Sequence, residues 1–342
     1  MKKISLFTPC FNESGNIEAM YNKVTEIMSA LPQYEYEYVI IDNCSTDGTQ
    51  EILKKIAEKD KRVKVILNLR NFGPSRSGSY GFFQTSGDCS ICFAADFQDP
   101  PELLPEFIRK WEEGNKVVWG KKTSSDEKPF MYHIRKLYYK VIKWLSDNEQ
   151  YEDVTGFGLY DREVMDKLIK YSGPTPNFRN MISEFGYEIA FIDYHQPVRK
   201  RGKSSYSFFK YLNVAINDIV NTSKVPLRLG TYFGAVVAFL SLLVAIFNVV
   251  LKLMYWDTYS AGIASLTAGI FFFSAVQIMF IGIIGEYVGE ILARMNKKPL
   301  VVEKARYNFE DESEKDTIKK ENIEIIDIEK TDIEKTDIEN KQ

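Results

Sequence analysis

From Ile4 to Trp119, short runs of β-branched and aromatic residues alternate with longer stretches in which apolar positions recur every three to four residues. The runs Ile4–Pro9, Tyr38–Asp42, Val63–Leu67, Ser90–Ala95 and Lys116–Trp119 predict strands. Between them, Asn16–Ala30, Asp47–Lys59, Pro74–Thr85 and Glu102–Glu113 predict helices. Such alternation implies an α/β domain with a mostly parallel sheet covered on both faces. Further on the pattern changes. Leu229–Leu251 is 23 residues without a formal charge, and Thr258–Gly285 is 28 more. A bilayer core of ~30 Å needs roughly 20 helical residues, so both segments are long enough to span it. Their short connection, Lys252–Asp257, makes them a helical hairpin.

Charge sharpens this picture. The chain has 342 residues and a formal net charge of −3, but the segment from Glu310 to Gln342 alone carries −7. The rest is a basic body of +4. That balance excludes a strongly basic nucleic-acid binder. Four Cys exclude a disulfide framework. Basic residues flank the hairpin outside, from Arg199 to Arg228 and from Arg294 to Lys304, whereas its loop offers only Lys252. The positive-inside rule then places both termini and the leading domain in the cytoplasm, in a multi-pass protein of the cytoplasmic membrane. Met1–Pro9 lacks the apolar core of a signal peptide. Apolar positions from Phe208 to Val220 recur at helical spacing beside basic residues, which predicts a helix lying on the membrane surface. The tail after Phe309 contains five-residue units from Ile326 to Asn340 and is dominated by charge, so it is expected to be disordered.

Ligands of parallel α/β sheets bind at the carboxyl ends of the strands. The first four predicted strands end in polar residues: Thr8–Glu13, Asp42–Thr49, Asn68–Gly73 and Asp96–Pro101. No Gly-x-Gly-x-x-Gly follows the first strand and no P-loop occurs, which removes dinucleotides and Walker-type nucleotides. Asp96, Gln98 and Asp99 are oxygen donors suited to a hard cation, Mg²⁺ or Mn²⁺, that bridges phosphates. Cys89 and Cys92 form a Cys-x-x-Cys inside an apolar run, where a structural role outweighs zinc or redox chemistry. His133 and His195 are read as structural.

The succession Thr8–Glu13, Asp42–Thr49, Arg70–Gly73 and Asp96–Glu102 resembles the family 2 glycosyltransferases. The nearer resemblance is to their polyprenyl-phosphate branch. It rests on Gln98-Asp99-Pro100-Pro101-Glu102, Arg199-x-x-Gly202-x-Ser204-x-Tyr206, Val225-Pro226-Leu227-Arg228 and Gly285-Glu286-Tyr287-Val288-Gly289, and covers roughly residues 2–302. It implies a GT-A type nucleotide-sugar-binding domain, followed by an interfacial helix region and a two-helix transmembrane hairpin. It also implies an inverting transfer of one sugar from a nucleotide-diphosphate donor, a UDP-sugar, to a polyprenyl phosphate such as undecaprenyl phosphate. Carried over residue by residue, the donor is expected at Pro9, Phe11, Asn12, Glu13, Asp42, Arg70 and Asp96. The metal is expected at Asp96 and Gln98, and the acceptor phosphate at Arg199, Arg201, Lys203 and Ser204.

Three positions depart from the family pattern. Ala94 replaces the first acid of the metal motif, Asn43 replaces an acid after the second strand, and Gly156 stands where a catalytic Asp is usual. Asp153 and Asp161 are the nearby acids, and Asp153 is preferred as the substitute. A lipid phosphate acceptor softens that loss. Its second ionisation lies near ~6, so its attacking oxygen is largely anionic at neutral pH without a base.

The expected organisation is a catalytic domain over 1–198, a basic juxtamembrane region over 199–228, and spans at 229–251 and 258–285. A cytoplasmic segment over 286–309 then packs on the catalytic domain, and the acidic tail is 310–342. Two rivals remain: a non-catalytic membrane scaffold that binds a nucleotide sugar, and a processive polysaccharide synthase. The second is expected to carry Gln-x-x-Arg-Trp, and none of Trp111, Trp119, Trp144 and Trp256 follows an Arg. The sequence carries no readable code for the sugar in 120–128 or 171–183. It leaves the oligomeric state open, a homo-oligomer included.

Overall fold

The computed structural model describes residues 1–125, 151, 153–173, 176–197, 225–254, 263–296 and 298–309. Its chemistry-bearing part is one eight-stranded sheet in the order β7-β5-β6-β4-β1-β2-β3-β8. The strands are β1 (Lys2–Cys10), β2 (Tyr34–Asp42), β3 (Val63–Asn68), β4 (Cys89–Cys92), β5 (Val117–Ser125), β6 (Val154–Asp161), β7 (Ile189–Gln196) and β8 (Glu303–Tyr307). β6 and β8 run against their neighbours, and the other six strands point one way. The expected mostly parallel α/β sheet is therefore present.

Both faces are covered because both faces of the central strands are apolar. One core layer packs Ile4, Leu6, Ile40 and Val65 against α1 (Ile17–Ser29), α2 (Thr49–Lys59) and α4 (Leu104–Glu112). The other packs Phe7, Val39, Ile41 and Ile66 against α3 (Pro74–Phe83), α5 (Arg162–Tyr171) and α6 (Phe178–Phe185). Successive strand residues alternate between the two layers, as pleating requires. Helix α3 lies so close that a Cβ on Gly81 would stand 2.7 Å from the Phe7 ring.

The first five strands match the sequence pattern closely, with informative differences. β4 stops at Cys92 rather than Ala95 because the Ala94 N–H turns away to the side chain of Asp99. The helix expected from Glu102 begins as a 3₁₀ turn, Pro101–Leu103, and continues as α4. β5 continues past the predicted end at Trp119, and residues 120–125 pair with β7. β6, β7 and β8 were not visible in the pattern at all.

Cys89 and Cys92 point to opposite faces of β4, into separate core layers, so they do not converge on one ion. Burial pushes both thiols up, away from the reactive thiolate.

Beyond the sheet lie two long helices, α7 (Val225–Met254) and α8 (Ile263–Met295). Within α8, Phe272–Gly289 is long and apolar enough to cross a membrane, with a mean hydropathy of 1.6. The expected surface helix over 208–220, His133 and the tail from 310 onward lie outside the described residues.

Candidate active site

The strand order reverses beside β1, which has β2 on one side and β4 on the other. A crevice outside the carboxyl ends of strands at such a switch point is where α/β sheets bind ligands. Four non-glycine residues in the left-handed region stand at this edge: Asn12 after β1 (φ 56°), Cys44 after β2 (φ 64°), Phe97 after β4 (φ 61°) and Asp153 just before β6 (φ 60°). Bulky side chains rarely adopt that conformation, and residues held there cluster at binding and catalytic sites.

The first two loops are zipped together. Asn12 donates its backbone N–H to Ser45 Oγ at 2.8 Å, and its Oδ1 accepts the N–H of Thr46 at 2.9 Å. Glu13 is buried, with its backbone N–H on Thr49 Oγ1 at 3.0 Å and its carboxylate on Asn16 Nδ2 at 2.7 Å. It ties the entrance of α1 to that of α2. Pro9 and Phe11 flank this joint, and Phe11 is 37% exposed at the rim.

Asp42 is fully buried. Its Oδ2 accepts the Ser45 N–H at 2.9 Å and the Gln50 amide at 2.8 Å. The carboxylate thus holds the shape of the loop after β2. Next to it, Asn43 joins the loops after β2 and β3. Its Oδ1 accepts from Asn68 Nδ2 (3.2 Å) and the Phe72 N–H (2.9 Å), and its Nδ2 donates to Asn71 Oδ1 (3.1 Å). A neutral amide can accept and donate at once, which a carboxylate cannot. Arg70 is exposed at the same edge, its guanidinium 4.3 Å over the Phe72 ring.

After β4 the chain makes a closed turn. Asp96 Oδ1 accepts the Gln98 N–H at 3.1 Å, and Asp99 Oδ2 accepts the Ala94 N–H at 3.0 Å. The other Asp99 oxygen receives the Tyr194 hydroxyl of β7 at 3.3 Å. Burial pushes the Asp99 carboxyl up to about 6, against the lowering effect of the Ala94 N–H. Asp99 therefore serves the turn, and its two oxygens are already engaged, unlike the free cation ligand that composition suggested. Asp96 and Gln98 are left half-buried at the edge.

Asp153 immediately precedes β6, which runs antiparallel to β4 and so starts at this same edge. Its carbonyl accepts the Lys122 N–H of β5 at 2.9 Å. Gly156 has φ +94° and open space where a side chain would project. Arg199, Arg201, Lys203 and Ser204 lie outside the described residues. The structure thus brings Pro9, Phe11, Asn12, Glu13, Asp42, Arg70, Asp96, Gln98 and Asp153 to one edge of one sheet.

Among the described residues no three His, Cys, Asp or Glu side chains form a metal cluster. The donor set still fits one hard cation. Mg²⁺ commonly keeps several waters and takes one or two carboxylates plus substrate phosphates, which Asp96 with Gln98 can match.

Residues 5–169, the span holding all of these loops but the last strands, match the model of Glycosyl transferase family 2. The SfII prophage-derived bactoprenol glucosyl transferase of Shigella flexneri is 32% identical over 298 residues, covering 87% of this chain and 96% of that protein. The chain belongs to glycosyl transferase family 2. It is a glycosyltransferase, and the α/β sheet is the family's GT-A type fold. The prophage bactoprenol glucosyl transferase homolog of Escherichia coli (strain K12) is 30% identical, covering 87% of this chain and 97% of the relative. An uncharacterized glycosyltransferase of Bacillus subtilis (strain 168), YkcC, is 30% identical over 90% of this chain and 95% of its own length. Among solved structures, glucosyl-3-phosphoglycerate synthase of Mycobacterium tuberculosis superposes with a TM-score of 0.45 at 16% identity, over 64% of this chain and 76% of that one. That likeness is too distant to bear on the site.

Sequence reasoning missed the Asp99–Ala94 closure, the Asn43 junction and the reach of β8 onto these loops. Asn43 was visible as a departure from the family's acid. Nothing local in the sequence signals the other two.

Proposed function

We propose that this glycosyltransferase moves a single sugar, with inversion, from a UDP-sugar to a polyprenyl phosphate such as undecaprenyl phosphate at the cytoplasmic face of the membrane. The observation that carries this reading is the likeness to a protein named bactoprenol glucosyl transferase across 96% of that protein's length. The match is far longer than the sheet domain alone.

In this reading the joined loops after β1, β2 and β3 hold the nucleoside diphosphate, with Pro9, Phe11, Asn12 and Glu13 on one side and Arg70 on the other. Asp42 keeps the second loop in shape. Asp96 and Gln98 would hold a Mg²⁺ or Mn²⁺ ion, which supplies positive charge to the leaving diphosphate. Arg199, Arg201, Lys203 and Ser204 would cradle the acceptor phosphate, where guanidinium forks suit its oxygens. The acceptor oxygen is largely ionised at neutral pH, since its second ionisation lies near ~6. Asp153 then orients the acceptor or shapes the edge, and no strong base is required at Gly156.

The helices α7 and α8, with 30 and 33 residues, form the two-span hairpin of this proposal. At ~1.5 Å per residue either helix exceeds a bilayer core of ~30 Å. The sheet domain and both termini would lie in the cytoplasm, as the basic flanks imply.

Membranes containing the full chain, incubated with labelled UDP-sugar and undecaprenyl phosphate, test the reading. A one-sugar lipid product is expected. A long polymer would favour a processive synthase, and nucleotide-sugar binding without product would favour the scaffold that Ala94, Asn43 and Gly156 suggest.

A further inference from the structure

The segment that follows α8 is more than 200 residues from the site loops in sequence, yet it touches the loop after β3 and the first turn of α2, which closes the loop after β2. The Val302 carbonyl accepts the N–H of Leu69, the residue before Arg70, at 2.9 Å. Two residues on, Lys304 Nζ donates to Gln50 Oε1 at 3.5 Å. Gln50 is buried, and its Nε2 donates to Asp42 Oδ2 at 2.8 Å. The same Asp42 oxygen accepts the Ser45 N–H, and Ser45 Oγ receives the Asn12 N–H. A continuous chain of contacts therefore runs from β8 through Gln50 and Asp42 to the loop after β1.

The chemistry of Lys304 gives that chain a direction. An ammonium only donates, so it selects the Gln50 rotamer that offers oxygen to β8 and the NH₂ group to Asp42. The strand itself is anchored on both sides. Arg76 Nη2 donates to the Pro299 carbonyl at 2.7 Å, and Arg306 Nη2 donates to Tyr80 OH and Gln84 Oε1 of α3 at 3.2 and 3.1 Å. Asn308 Nδ2 donates to the carbonyls of Ala57 and Val63 at 2.6 and 2.8 Å. A strand that merely capped the open edge of β3 would need pairing and charge, but no polar reach onto a buried Gln–Asp pair.

We propose that β8 is a positioning element of the donor site: Lys304 acts through Gln50 on Asp42 and the loop after β2, while Val302 holds the loop that carries Arg70. This rests on the reading that those loops bind the nucleotide. The donor pocket is then built from both sides of the long helices, and the segment after them sets donor affinity.

Titration of UDP with Mg²⁺ into the detergent-solubilised full chain tests this. Lys304→Met is expected to weaken UDP binding about three- to tenfold, the range of a modest coupling energy, with an unchanged thermal midpoint. Lys304→Arg should restore binding. Lys61→Met, which removes the contact of Lys61 Nζ with Asn308 Oδ1 at 3.2 Å, should bind UDP as the wild type does. In Gln50→Ala, adding Lys304→Met should cost nothing more. Unchanged UDP affinity in Lys304→Met, or additive losses in the double variant, overturns the positioning role while wild-type binding stands. Absence of UDP binding by the wild type would instead overturn the donor reading itself.

Discussion

The carboxylate of Asp99 folds back over its own loop to accept the backbone N–H of Ala94 at 3.0 Å. Ala94 occupies the place where the family resemblance expects the first acid of the metal motif. An acid at the far end of the turn thus holds the backbone that presents Asp96. Replacing Asp99 by Ala leaves the half-buried Ala94 N–H without its partner and is expected to destabilise the protein by about 1–3 kcal/mol. Transfer should fall as well, because Asp96 loses its support. Tyr194→Phe leaves the Asp99–Ala94 hydrogen bond in place and should be milder on both counts. Thermal midpoints and initial rates of the two variants, measured side by side, check this order.

Asn43 predicts a second asymmetry. Asp at this position keeps both acceptances, from Asn68 and Phe72, but faces Asn71 Oδ1 with another acceptor. Asn71 Oδ1 also accepts the Gly73 N–H at 2.9 Å, so turning its amide over sacrifices that bond. Asn43→Asp should therefore cost about 1–2 kcal/mol and loosen the Arg70 loop. The expected reading is a raised KM for donor with little change for lipid; an unchanged donor KM would argue against the junction.

Asp153 separates two views of the chemistry. If it removed a proton from the acceptor, Asp153→Asn should lower turnover by about 10²–10⁴-fold. With a phosphate acceptor that is already ionised, turnover should stay within about tenfold of wild type, and the rate should follow acceptor ionisation as pH rises through ~6. A pH–rate profile of the variant distinguishes them.

Stability at low pH depends on Glu37, at the other end of the sheet. Burial alone would raise its carboxyl, but hydrogen bonds from Lys64, Ser5, Lys3 and the Ser86 N–H hold it down at about 2. A depressed folded-state value contributes stability above the unfolded value near 4.5, which is lost as pH falls toward about 2. The contribution is on the order of 3 kcal/mol at neutral pH. Glu37→Gln should flatten the acid limb of the stability curve, measured by denaturant titration from pH 7 to pH 3.

The legible part of this molecule was the part with a period. β1 to β5 announce themselves because their buried faces require β-branched and aromatic runs, and their polar ends mark the edge where a ligand sits. β6 contains Gly156 and Gly158, which interrupt the strand pattern, although Gly158 is needed where the Val118 carbonyl and Trp119 crowd its Cα. β8 reads Glu-Lys-Ala-Arg-Tyr, and its charges are those of an outer strand. Its partner β3 lies far away in sequence, so no local pattern could reveal the pairing. The same holds for Asp99. Composition shows an oxygen ligand, and only the closed turn shows that its oxygens are already used.

The most direct test is transfer by the Asp96→Asn variant in membranes supplied with labelled UDP-sugar, undecaprenyl phosphate and Mg²⁺. The account predicts a one-sugar polyprenyl-phosphate product from the wild type and its loss in Asp96→Asn, with equal amounts of protein in the membrane. Undiminished product from Asp96→Asn, or no lipid-linked sugar from the wild type with any nucleotide sugar, would contradict it.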